Sequence, residues 1–428
     1  MLTMRSTWAL MAVTAWLTMA GTAGARPAQD AQRLGDPPAV VDQDLARATA
    51  MDTGPDGLAT VLVRQHGHAV VRRARPGQPF GAARRLPLGD DPASPSVTAG
   101  AGFAALAWTH FDATYFPGPY DREEPCCRRL RAALVERSGR VTRPRTLSSP
   151  GANVVGALAA VRGRRAALAW TDRRGVRASV GGRGRGFGRP VTITTSQRST
   201  LLAVTLPRAT PHVFLLVGYN RPRIEEAWRA HGHTRRVDLG PFDVYPFGPE
   251  AVVAATPDGH LLIAVDFFRR EPRLRRLLVF ARRPGHRLHA TRVRVPLASA
   301  TATAVALAPS GRGLIATRGG RRLIALRAVD SRGRVGPPRT LAAGGLPLAS
   351  VMAIASSGAG AIGLHVYHGT GARRRDTLVA WRLRRGGRPG PRRTVSLRES
   401  SVQGALAATI DGRVAWYQGG SSYAALVR

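Results

Sequence analysis

The chain has 428 residues, 64 basic and 26 acidic side chains, a formal net charge of +38 and two cysteines. So few cysteines exclude a disulfide framework, which leaves stability to a packed core. An aromatic content of 6% argues against stacking platforms for nucleic acid. Every basic residue is arginine. Charge of this size draws polyanions and membrane surfaces. Arg, Ala, Gly and Pro are inflated together and the arginines are dispersed, which points to compositional bias as a competing source of the charge.

Residues 1–25 read as a secretory signal peptide. Arg5 forms a short basic region, Ser6–Gly21 is uncharged and mostly apolar, and Ala23-Gly24-Ala25 offers a small-x-small cleavage site. Retention as an anchor is the alternative, weakened by Thr7, Thr14 and Thr18 within the apolar stretch. The expected location is therefore secreted or extracytoplasmic, at the cell envelope. Residues 26–34 read as a short linker and residues 35–428 as one domain.

That domain repeats. A unit consists of an Ala/Val-rich run, a Gly-containing turn, a second run often ending in Ala-Trp, a third run, and a short Gly-x-Pro-x-Thr-Leu segment. One copy runs from Val154–Val161 through Ala166–Trp170 and Val176–Val180 to Gly188–Ile193. First strands are expected near Asp44, Pro95, Ala152, Thr200, Glu250, Thr301, Ala349 and Val402, at spacings of 48 to 57 residues. Four short strands at this period make the blade of a β-propeller. Pro55-Asp56-Gly57, Pro257-Asp258-Gly259 and Asp411-Gly412 supply the positive φ of tight hairpins. Runs such as Leu261–Val265 are apolar on both faces, which suits sheets packed on both sides. Trp108, Trp170 and Trp416 recur at equivalent strand ends, and with Trp228 and Trp381 on third strands they read as packing positions between blades.

The eighth unit holds three strands only, Val402–Thr409, Arg413–Gln418 and Ser422–Val427. Gly35–Val41 resembles the fourth-strand segments Gly336–Leu341 and Gly390–Val395 and is expected to complete the last blade, removing the open edge. The expectation is an all-β, closed propeller of eight four-stranded blades, with seven as the alternative.

With these features the chain resembles exported bacterial β-propellers of the sialidase-like, BNR-repeat type. The resemblance is architectural. The Asp-box of that group, Ser-x-Asp-x-Gly-x-Thr-Trp, finds only Thr256-Pro257-Asp258-Gly259-His260 as its nearest counterpart, and no sialidase catalytic residue is matched. Fold likeness alone does not license function.

In such a scaffold the variable second-to-third loops are the expected working surface. The longest, Thr109–Arg128, holds Phe111, Asp112, Tyr115, Phe116, Tyr120, Asp121, Glu123 and Glu124, aromatic and acidic groups suited to sugar or protein contact. The other loops, Gly218–Glu226, Asp266–Arg273 and His368–Asp376, add Glu225, Glu226 and Asp266 as binding candidates. Cys126 and Cys127 are neighbours, about 3.8 Å apart at their α-carbons. A disulfide between them is strained, and the alternatives are free thiols or bonds to another chain. No catalytic set, metal site or cofactor motif is recognised. The expected function is a non-enzymatic, monomeric binding propeller for an envelope polyanion, glycan or protein. The alternative is a carbohydrate-active hydrolase or lyase with its carboxylates at the ring mouth.

Overall fold

A computed structural model describes residues 32–33, 49–65, 68–75, 81–86, 93–111, 128–196, 199–218, 222–241, 251–268, 275–294, 302–318, 322–368, 375–396, 405–410, 412–418 and 421–426. Apart from one 3-10 turn at Arg385–Gly387, the regular structure of these residues is all strand, in eight antiparallel sheets. Among the described residues, no helix is long and apolar enough to cross a membrane.

Seven sheets are each made from one continuous stretch of chain, with strands laid side by side in sequence order. Numbered along the chain, these are blades 1 to 7. Their first strands are Thr49–Thr53, Ala93–Gly100, Gly156–Arg162, Ser199–Thr205, Ala251–Ala255, Ala302–Leu307 and Leu346–Ile354. Each begins within five residues of the position expected from the repeat. In blade 3 the fourth strand is split into Gly186–Phe187 and Val191–Thr194, both paired with Gly175–Gly182.

The eighth sheet is composite. Ala405–Ala408, Arg413–Gln418 and Ser421–Leu426 come from the end of the chain, and Gln32–Arg33 adds the outer edge, with Arg33 opposite Ala425. An N-terminal strand therefore completes the last blade, but it is not the segment expected. Gly35–Val41 lies outside the described residues, and the pairing residues fall within the stretch read as a linker. First strands of neighbouring blades pack on one another all the way round, and Thr49–Thr53 touches both Ala93–Gly100 and Ala405–Ala408. The Thr53 hydroxyl donates to the Ala408 carbonyl at 2.8 Å, tying blade 1 to blade 8.

The core lies between the blades, because side chains alternate across a strand. In Phe103–Phe111 of blade 2, Ala104, Leu106 and Trp108 pack toward blade 1, whereas Phe103, Ala105 and Ala107 pack toward blade 3. In Leu261–Phe268 of blade 5, Leu261, Ile263 and Val265 face blade 4, and Leu262 and Ala264 face blade 6. Trp108 and Trp170 are fully buried at matching interface positions, as their spacing suggests, and Trp381 is buried between blades 6 and 7. The first turns close as the Asp-Gly signals require. Gly57 has φ +73° and Gly259 φ +100°, and their N–H groups donate to Gly54 O and Thr256 O at 2.8 and 3.0 Å.

Truncating Trp170 to Ala is expected to lower stability by about 3–5 kcal/mol in equilibrium denaturation. Leu323→Ala, at a 40% exposed position, is expected to shift it by no more than about 0.5 kcal/mol.

Candidate functional site

Of the expected loop residues, Asp112, Tyr115, Phe116, Tyr120, Asp121, Glu123, Glu124, Cys126 and Cys127 lie outside the described residues. Phe111 ends a second strand, opposite Arg128. Asp266 is not a loop residue, since it pairs with Leu277 inside blade 5. Glu225 and Glu226 are not loop residues either. They pair with Leu215 and Phe214 within Arg223–Ala230 of blade 4. These hairpins run further than the apolar residues suggest, because backbone pairing continues with polar side chains once a central run has set the register.

Adjacent positions on a strand point to opposite faces, so Glu225 and Glu226, both buried, serve different blade interfaces. Glu226 faces blade 5. It accepts from His212 Nδ1 at 2.8 Å and pairs with Arg282 of blade 5. The Arg282 guanidinium also donates to Gly259 O (2.9 Å) and His286 O (3.1 Å) and lies 5.2 Å from the Phe214 ring centre. His212 stacks flat on Trp228 with centroids 4.7 Å apart. Burial lowers the pKa of Arg282, and Glu226 opposes that shift. On the other face, Glu225 takes Arg223 Nε at 3.0 Å and lies 3.8 Å from Arg236, which donates to Thr194 Oγ1 of blade 3 at 2.7 Å. Acid/base cleavage of a glycoside needs two carboxylates flanking one bond, and this pair does not converge.

Arginines tie blades together in a recurring way. Arg84 donates to Gly139 O (2.8 Å), Arg145 to Phe187 O (2.8 Å) and Arg162 to Leu206 O (3.4 Å), each reaching from one blade to a carbonyl of the next. Arg73 of blade 1 likewise bonds Glu136 O of blade 2. Part of the arginine content is thus structural.

Among the described residues, two cavities lie on the face formed by the first-to-second and third-to-fourth turns. This is the face opposite the second-to-third loops. The first, of about 330 Å³, is the turn end of the central channel. All eight blades contribute to its wall, which is Ala, Val, Leu, Ile, Met and Pro except for Thr98 and Asp52. Asp52 is half-buried, and its accessible surface borders the channel. Its Oδ1 accepts Thr53 N–H and its Oδ2 accepts Ala99 N–H from blade 2, both at 2.8 Å. Desolvation raises its pKa to about 6, against the lowering effect of the Ala99 and Thr53 N–H groups. The sequence alone did not single this residue out. The only signal was a carboxylate at the end of an otherwise small-residue inner strand.

The second cavity, of about 310 Å³, is a cleft between the third-to-fourth turns of blades 5 and 6. Arg282, Arg283, His286, Arg287, His289 and Arg332 line it. Two nearby acids are committed elsewhere. Glu226 holds Arg282, and Asp330 accepts Arg332 N–H, Arg334 N–H and Arg334 Nε within its own turn at 2.8–2.9 Å.

No protein-family profile and no curated protein matches the chain. Solved structures do resemble it in fold. The BP39L lectin of Burkholderia pseudomallei is 12% identical, with a TM-score of 0.46 over 88% of this chain and 96% of that one. A puromycin-hydrolyzing peptidase of Mycobacterium tuberculosis is 12% identical, with a TM-score of 0.47 over 86% of this chain and 56% of that one. Prolyl oligopeptidase B of Galerina marginata is 9% identical, with a TM-score of 0.47 over 88% of this chain and 56% of that one. No residue role is carried over from them.

Two outcomes are expected from these geometries. Glu226→Ala leaves Arg282 buried without its partner and should lower stability by about 3–5 kcal/mol. Adding Arg282→Met to that variant should restore much of the loss, which a double-mutant cycle by chemical denaturation reads directly. For Asp52 the folded pKa, about 6, lies above the ordinary value of 3.8, so the folded state holds the proton more tightly. Its stabilising effect is complete below the ordinary value and is lost as pH rises through about 6. At about 1.4 kcal/mol per unit of pKa, wild type should lose roughly 1–3 kcal/mol across that window. Asp52→Asn should flatten the fall in a pH series of denaturation curves.

Proposed function

We propose that the protein is a non-catalytic binding propeller that works outside the cytoplasm and holds an anionic polymer of the cell envelope against its basic turn face. The observation that carries this reading is the cleft between blades 5 and 6. Arg283, His286, Arg287, His289 and Arg332 surround one opening, while Glu226 is spent on Arg282 and Asp330 on its own turn. Guanidinium groups in a fork geometry suit phosphate, sulfate and carboxylate groups along a polymer. The net charge of +38 adds a long-range field that steers such a polymer to the surface. The signal-peptide character of residues 1–25 supports the location. Glu225 and Glu226, on opposite sheet faces, do not form the flanking carboxylate pair that glycoside cleavage uses.

The test uses the full chain, dextran sulfate as the anionic probe and uncharged dextran as the control. Binding to dextran sulfate is expected to fall steeply between about 50 and about 300 mM salt, with no binding to dextran. A combined Arg283→Gln, Arg287→Gln, Arg332→Gln variant alters three of 64 basic residues, yet it is expected to weaken binding by about tenfold or more. Unchanged affinity in that variant contradicts the assignment to this cleft.

A further inference from the structure

We infer that the turn end of the central channel binds a small organic cation, an apolar body carrying one protonated or quaternary nitrogen that pairs with Asp52. This cavity adjoins the basic cleft through Leu307 but has its own wall, and it takes a ligand of opposite charge.

Three observations carry it. First, the cavity of about 330 Å³ is walled by the inner strand ends and turns of all eight blades, including Ala160, Ala254, Ala306 and Met352. Its volume is that of a small-molecule site, with mostly apolar side chains in the wall and backbone polar groups exposed between them. Second, among the described residues the wall holds no arginine, and Asp52 is its single ionisable side chain. Third, the carboxylate is already aimed. Thr53 N–H and Ala99 N–H each take one oxygen at 2.8 Å, which fixes its orientation and leaves acceptor capacity on both oxygens. Among the described residues, only desolvation and those two N–H groups shift its titration, and no charged neighbour contributes. An ionised carboxylate desolvated in a cavity wall is disfavoured without a counter-charge.

A ligand that brings a cationic nitrogen and covers the Ala and Val wall with hydrocarbon relieves that penalty and buries apolar surface together. A divalent metal fits poorly, since it requires six or more oxygen ligands or several nitrogen and sulfur ligands. Among the described residues, the wall offers one carboxylate and one threonine as side-chain ligands.

The experiment is isothermal titration of the full chain with n-butylammonium and with 1-butanol, a neutral probe of similar size, at about pH 8, where Asp52 is ionised. Wild type is expected to bind butylammonium at least about tenfold more tightly than butanol. Asp52→Asn is expected to bind the two probes alike. Ala254→Phe fills the channel from blade 5, across the ring from Asp52, and is expected to abolish binding of both. Thermal melts of each variant confirm that it is folded. Absence of saturable butylammonium binding to wild type overturns the inference. So does equal affinity for the two probes, or unchanged butylammonium affinity in folded Asp52→Asn.

Discussion

The packing of one sheet face against the next is the interaction on which the rest of this molecule depends. Each central strand is apolar on both sides. Phe103–Phe111 and Leu261–Phe268 send alternate residues into two different interfaces. A stack of such sheets has an unburied apolar face at each end, and an open stack would leave both in water. Closing the stack into a ring removes both ends at once, and burial of that apolar surface is the dominant favourable term in folding. Closure in turn places Thr53 against Ala408 and calls on Gln32–Arg33 to cover the outer edge of the last sheet.

Closure also shapes the chemistry. Eight inner strands converge on an axis, and small side chains such as Ala160, Ala254 and Ala306 keep it open as a channel. The polar groups that enter the interior mostly hold blades to one another. Arg84, Arg145 and Arg162 donate to carbonyls of the following blade, and Glu226 with Arg282 bridges blades 4 and 5. Asp52 joins blades 1 and 2 through Ala99 N–H but also borders the channel, where no described arginine lines the wall. The two cavities therefore differ in kind. The channel end is apolar with one carboxylate, and the cleft between blades 5 and 6 is edged by cationic turns.

Much of the architecture was legible in the sequence, for physical reasons. Period-2 patterning with both faces apolar, as in Leu261–Val265, marks sandwiched strands, and Asp-Gly pairs at constant intervals mark the first turns. What escaped was decided by pairing and closure. Glu225, Glu226 and Asp266 look like loop acids because they flank polar stretches, but hairpin pairing carries the strands past them. Gln32–Arg33 has no strand signature, since a two-residue edge needs only backbone groups, and the Gly-x-Pro resemblance pointed a few residues downstream. Asp52 sits in Met51-Asp52-Thr53 just before a turn and reads as an unremarkable strand end. Only the assembly of eight blades turns that position into the wall of a cavity.

A crystal structure of the protein is the sharpest test of ring closure. Eight sheets around one axis are expected, with Ala405–Ala408 packed on Thr49–Thr53 and the Thr53 hydroxyl within hydrogen-bond distance of the Ala408 carbonyl. An open stack in which those two strands do not meet would contradict it.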